Sequence, residues 1–258
     1  MEIPIVIEQR DALVSYTRFV AIGDSLTEGV GDPVRGGRLR GWADRLADIL
    51  RLVEPGLRYF NLARRGLTTR QVRDGQLERA LELEPDLTSV LVGMNDLIRP
   101  DFDAAAYERD LEELVDTFTS RGVTVLTGTF PDVTAVIPVP ARLTASIRRR
   151  LDAASEVIRR VSARHGTVLV DVNDMPDELI RANFSIDGLH PNERGHLLIA
   201  RSFAVKLGIE TGLPDLPRGR LVGWGSFRHA RWLVAEGALP QMTRTAVRIF
   251  KGAPTADL

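Results

Sequence analysis

The stretch FVAIGDSLTEGVGD, residues 19–32, decides how the chain is read. It passes from an apolar, strand-like run into small polar residues, and Ser25 stands where the pattern changes. A strand that breaks at Gly-Asp-Ser and leads into a helix is the opening of a βαβ unit. Outward from it the same alternation recurs. RFVAI, LRYFNL, TSVLVG, VTVLTGT and TVLVDV are separated by segments of helical periodicity, among them WADRLADIL, YERDLEELVDTF and LTASIRRRLDAASEVIRRVSARH. This rhythm predicts a parallel sheet covered by helices on both faces. Gly122 and Gly166 follow two of the helical segments, where a left-handed terminating residue is common, and His165 suits the negative end of its helix.

The 258 residues suffice for one sizeable core. Lys and Arg number 34 against 35 Asp and Glu, so no overall field draws the chain toward nucleic acid or an anionic membrane surface. The chain has no cysteine, which excludes disulfides, thiolate metal sites and a cysteine nucleophile together. The start, MEIPIVIEQRDALVSY, meets Glu2, Glu8, Arg10 and Asp11 before a signal-length apolar core can form, and no later run approaches a membrane span. A cytoplasmic location is the expectation. The main domain is expected over 1–210. Residues 211–258 form a separate tail: TGLPDLPRGR reads as a linker and SFRHARWLVAEGALPQMTRTAVRIF as one or two amphipathic helices, with Trp224 and Trp232 as candidate anchors to the domain or to a second subunit. Oligomeric state is left open.

In an open parallel sheet, groups at the carboxyl ends of strands line the ligand crevice, and Ser25 sits at such an end. A serine hydroxyl is a weak nucleophile alone. It needs a base, an acid to orient the base, and donors for a developing oxyanion. Of the four histidines, His165, His196 and His229 read as structural or surface residues. His190, in SIDGLHPNERGH, precedes Pro191, read as the first residue of a helix, and is therefore expected to be extended at a loop end. Asp187, with Gly188 allowing a tight turn, can hold one imidazole nitrogen as a donor and leave the other to accept the serine proton. The competing reading makes Asp187 an Asx turn and His190 a helix cap. Gly66 after LRYFNL and Asn95 after TSVLVG can supply N–H donors, though each alone also reads as a turn glycine and a helix cap. Asp171, Asn173 and Asp174 lack the rest of a calcium loop and the histidines show no zinc spacing, so no cofactor or metal is expected.

Taken in order, these blocks resemble the SGNH hydrolases, also called the GDSL esterase/lipase family. GDSLTEG is similar to the first block, and the glycine of NLARRG, the asparagine of GMND and the Asp and His of DGLHP are similar to the others, over residues 18–208. The resemblance implies a flavodoxin-like three-layer α/β/α sandwich with a five-stranded parallel sheet. It implies Ser25 as nucleophile, His190 as base and Asp187 as its orienter, with an oxyanion hole of the Ser25 N–H, the Gly66 N–H and the Asn95 side chain. The implied reaction is cleavage of a small-molecule carboxylic ester through an acyl-enzyme.

Other readings keep the site but change the chemistry, to an acyltransferase or a deacylase of an amide or a modified sugar, or silence it in a binding module. A DNA-binding reading of GLTTRQVRDGQLERAL, with Arg65, Arg70 and Arg73, is opposed by the strand-like RYFNL before it and by the near-neutral charge. Residues 30–41, 97–106 and 130–143 are expected to shape the pocket. The last is read as a non-helical wall stiffened by Pro131, Pro138 and Pro140. RGGRLRG at 35–41 is read as a flexible loop at the mouth, and the arginines at 148–150 as a solvated helix face.

Overall fold

The computed structural model describes residues 15–33, 37–99, 101–135, 141–174, 182–185, 187–209 and 213–216. The five expected strands are present as β1 (Arg18–Gly23), β2 (Arg58–Asn61), β3 (Leu87–Leu91), β4 (Thr124–Gly128) and β5 (Val168–Val170). They form one parallel sheet in the order β2-β1-β3-β4-β5. The helices are α1 (Ser25–Glu28), α2 (Trp42–Leu50), α3 (Thr69–Glu82), α4 (Met94–Leu97), α5 (Ala104–Thr119), α6 (Ala141–His165) and α7 (Glu193–Lys206).

Alternation along the strands sorts the side chains into two cores, because successive residues of a strand point to opposite faces. Val20, Ile22, Val90, Val92 and Val125 pack with α3, α5 and α6. Phe19, Ala21, Leu87, Leu91, Leu126 and Val170 pack with α2 and α7. Burial on both faces explains why β1 reads as an apolar run after Arg18, and in β3 it takes even the Thr88 and Ser89 side chains out of solvent. The second core is tied by Trp42 of α2 against Phe203 of α7, ring centroids 5.1 Å apart and both fully buried. Truncating either to alanine should cost about 3–5 kcal/mol. Gly122 and Gly166 have φ of +76° and +64°, as their positions after α5 and α6 require.

The strand order sets the site. From β1 the chain moves one way to β2, then returns past β1 to β3, so a crevice opens between the carboxyl ends of β1 and β3. Ser25 follows the first of these strands and Asn95 the second. Among the described residues no helix is long and apolar enough to cross a membrane. Beyond α7, Leu213 packs against the α2/α7 core and Arg201 donates to the Pro214 carbonyl. The rest of the expected tail, with Trp224, His229 and Trp232, lies outside the described residues, as do residues 34–36 of the mouth loop.

Candidate active site

Ser25 owes its position to the residues on either side of it. The Asp24 carboxylate caps α1 by accepting the Leu26 N–H at 3.1 Å, which makes Ser25 the first helical residue. Behind it, the buried Gln76 of α3 grips the end of β1. Its Oε1 accepts the Gly23 N–H at 2.9 Å and its Nε2 donates to the Gly23 carbonyl at 3.0 Å. The serine is thus both the start of a helix and a hydroxyl held at a strand end.

His190 reaches it from the segment before α7. Its Nε2 lies 2.8 Å from Ser25 Oγ, and its Nδ1 lies 2.6 Å from Asp187 Oδ2. An ionised carboxylate only accepts, so Nδ1 carries the proton and Nε2 is left to accept from the serine hydroxyl. Asp187 makes the contacts of a turn residue and of a ring partner together. Its Oδ1 accepts the Leu189 and His190 N–H groups, each at 2.9 Å, and the Ser185 hydroxyl at 2.7 Å, which folds the turn; its Oδ2 meets the ring. Burial pushes the Asp187 carboxyl up, but the hydrogen bond to His190, the charge of that ring and the turn hydrogen bonds outweigh it. The group is held below the usual carboxylate value.

The start of α7 differs from expectation. Pro191 is not the first helical residue: it forms an isolated antiparallel bridge with Phe184, and Asn192 is the N-cap, its side chain accepting the Gly195 N–H at 3.1 Å. The Ser185 N–H donates to the His190 carbonyl at 2.7 Å and the Asn192 N–H to the Asn183 carbonyl at 2.8 Å, so His190 sits in a pinned loop rather than on a helix end.

Gly66, with φ of +82°, and Asn95 line the same cavity as Ser25 and His190, a space of about 190 Å³. Asn95 is not the cap of α4; Gly93 is, and Asn95 lies inside the helix. Its Nδ2 donates to Asp24 Oδ2 at 3.2 Å and to the Leu67 carbonyl at 3.0 Å. Asp24 therefore links the nucleophile position to the asparagine, a contact the sequence reading missed because neither the spacing nor the residue types signal it. Burial pushes the Asp24 carboxyl up to about 6, against the pull of the Leu26 N–H, nearby His190 and the Gly93 N–H.

A second set of contacts fixes the loop after α1 to α7. Fully buried His196 accepts the Trp42 N–H on Nδ1 at 3.1 Å and donates from Nε2 to the Val30 carbonyl at 3.1 Å. Burial drives its imidazole down to about 4. Asp32 and Arg45 form a buried ion pair beside it. His165 faces Glu112 at 3.2 Å, away from the crevice. The α3 segment read as a possible recognition helix follows β2 directly; Arg70 and Arg73 pair with Asp110, and Arg65 with Glu28.

Two segments differ from expectation. Residues 130–143 are not wholly non-helical: Val133–Ala135 forms a 3-10 turn and α6 already begins at Ala141, while 136–140, with Pro138 and Pro140, lie outside the described residues. The arginines at 148–150 are not merely solvated. Arg148 pairs with Asp132, and Arg150 donates to the Leu97 and Arg99 carbonyls, tying α6 to the end of α4. Among the described residues no group of three or more His, Cys, Asp or Glu could hold a metal ion.

A parallel α/β sandwich with a serine, an imidazole and a carboxylate in line at its strand ends defines a hydrolase-type site. The model of the GDSL-like lipase/acylhydrolase family matches residues 21–198, and the chain belongs to this family, and with it to the serine esterases. It is 24% identical over 212 residues to an acetylxylan esterase of Geobacillus stearothermophilus, covering 76% of this chain and 96% of that protein. Among solved structures it is similar to LAE5, an α/β hydrolase enzyme from the metagenome of Lake Arreo, at a TM-score of 0.60 and 26% identity, covering 77% of this chain and 97% of that one. Axe2, an acetylxylan esterase from Geobacillus stearothermophilus, has the same fold at a TM-score of 0.59 and 21% identity, over 81% of this chain and 99% of that one.

Proposed function

We propose that the chain hydrolyses carboxylic esters through an acyl-enzyme on Ser25, with His190 as general base and acid, Asp187 as its orienter, and the Ser25 N–H, Gly66 N–H and Asn95 side chain as oxyanion donors, Asn95 Nδ2 exchanging its 3.2 Å contact with Asp24 for the oxyanion. The observation that carries this reading is the unbroken run of short contacts from Asp187 Oδ2 through the His190 ring to Ser25 Oγ, at 2.6 and 2.8 Å. Ser25 Oγ forms a bond to the ester carbonyl carbon while its proton passes to His190 Nε2. The carbon–oxygen bond to the alcohol then breaks, and the alcohol leaves with that proton. Water adds to the acyl carbon, giving a proton to His190, and the carboxylic acid departs as Ser25 recovers its own. Ester and water are consumed; acid and alcohol are released.

No step draws on a metal or cofactor. The test is hydrolysis of a short p-nitrophenyl ester by the parent chain and by Ser25→Ala. The parent is expected to turn it over and the variant to lose the activity; equal rates would refute the assignment.

A further inference from the structure

The cavity at Ser25 does not stop at the reacting groups. It runs past Leu26 and Val30 along the carboxyl ends of β3, β4 and β5, where Leu91, Gly128 and Val170 form one wall. Ile199 and Phe203, four residues apart on one face of α7, form the other. Its far end reaches the core, since Phe203 is 0% exposed and Leu91 and Val170 are each 6% exposed. Sugar hydroxyls would need unengaged donors and acceptors along these walls. Among the described residues of the lining, Thr129 is the single hydroxyl besides Ser25, and it is already used: it donates to Asp171 at 2.9 Å and accepts the Val172 N–H at 2.8 Å. Arg65 at the mouth is held by Glu28 through both oxygens.

From this we infer that the site is built for esters of apolar acyl chains of about six carbons, and that Gly128 sets the depth of the acyl slot; the inference rests on the esterase reading above. The size follows from the space available. An apolar cavity of about 150 Å³ accepts a benzene ring, and the whole cavity here, reacting groups and mouth included, measures about 190 Å³, which leaves room beyond the ester group for more than the single methyl of an acetyl. The slot takes the acyl side rather than the alcohol side because the alcohol must leave before water can attack, whereas the acyl group stays bonded to Ser25. A pocket that ends in the core suits the part that remains. Gly128 lies within β4 without a positive φ, and a Cβ added there would meet only ordinary contacts, 3.5 Å to the Val170 carbonyl and 3.6 Å to Leu91 Cδ2. A side chain at this position is therefore accommodated by the fold and occupies the slot.

The experiment compares kcat/KM for p-nitrophenyl acetate, butyrate, hexanoate and decanoate in the parent chain, Gly128→Ala, Gly128→Val and Ser25→Ala, with methyl, butyl and hexyl acetate as the alcohol-side series. The parent should gain about fourfold or more per added methylene up to hexanoate and gain no more beyond it. The hexanoate-to-acetate ratio should fall in Gly128→Ala and fall further, by about tenfold or more, in Gly128→Val. The graded alanine variant keeps the test open if valine impairs folding. A parent that prefers acetate, a ratio unchanged in both Gly128 variants, or a gain seen only along the alkyl acetates overturns the acyl slot while leaving the serine reading intact. Undiminished activity in Ser25→Ala overturns the esterase reading itself.

Discussion

His190 Nε2 lies 2.8 Å from Ser25 Oγ although 165 positions separate the two residues. The contact exists because β1 and the segment before α7 end at the same edge of the sheet, and its chemistry depends on Asp187. Asp187→Asn tests that dependence selectively. An amide oxygen in the place of Oδ1 can still accept the three turn hydrogen bonds, while the amide NH₂ in the place of Oδ2 forces Nδ1 to accept. Nε2 then holds the proton and cannot take one from Ser25. We expect kcat to fall by about 10⁴ with the far-UV circular dichroism unchanged; a fall below tenfold would show that the ring does not need this partner.

Asn95→Ala should lower kcat by about 10²–10³ with little change in KM, as expected for a donor that acts on the oxyanion and not on the ground-state ester. The same substitution removes the Nδ2 donor from Asp24, whose carboxyl is already pushed up to about 6 by burial. Steady-state kinetics on a p-nitrophenyl ester reads the first effect. A change confined to KM would assign Asn95 to substrate binding instead.

Stability should depend on pH through His196. Its imidazole is driven down to about 4 in the fold by burial, against an ordinary value of about 6.5. The unfolded chain therefore binds the proton more readily, and the contribution is present above pH ~6.5 and is lost as pH falls toward ~4. Between pH 7 and pH 5 this amounts to about 2 kcal/mol. Asp24 acts with the opposite sign, its raised pKa favouring the fold as pH falls through about 6. Urea unfolding at the two pH values, for the parent and for His196→Gln, isolates the histidine part. The variant should lose less stability on acidification than the parent; an equal loss would contradict the assignment.

Gly31 carries the loop after α1 past the histidine segment with φ of +104°, and a Cβ there would stand 2.1 Å from the Pro191 carbonyl and 3.2 Å from His190 Cβ. Gly31→Ala must therefore strain the loop and push residues 190–191 away from Ser25. The expected result is destabilisation of about 1–3 kcal/mol together with a fall in kcat, read by urea unfolding and by ester hydrolysis. Unchanged kcat would mean that the two segments move independently.

The central strands are legible because β1 and β3 are buried almost throughout, the half-buried edge strands β2 and β5 because each alternates with a helical segment, and WADRLADIL matches α2 residue for residue. Ser25, Gly66, Asn95, Asp187 and His190 were legible because each follows a strand or a turn signal that stands out locally. What sequence did not disclose is long-range. Nothing near Gln76 shows that its amide will close on Gly23, and nothing near Asp24 shows that it will face Asn95; both depend on how α3 and α4 dock on the sheet. His196 looked like any helical histidine, and only the packing of α2 on α7 gives it two buried partners. Sequence places the start of α7 at Pro191 because proline is common at a first helical position, whereas in the fold Asn192 is the cap and Pro191 pairs with Phe184.

The most direct test of the account is covalent labelling with a fluorophosphonate, followed by mass spectrometry of the digested chain. A serine activated by His190 should carry the adduct on the peptide containing Ser25, with none in Ser25→Ala and a much slower reaction in His190→Ala. Ester hydrolysis that persists while Ser25 stays unlabelled, or labelling that proceeds equally fast without the histidine, would contradict it.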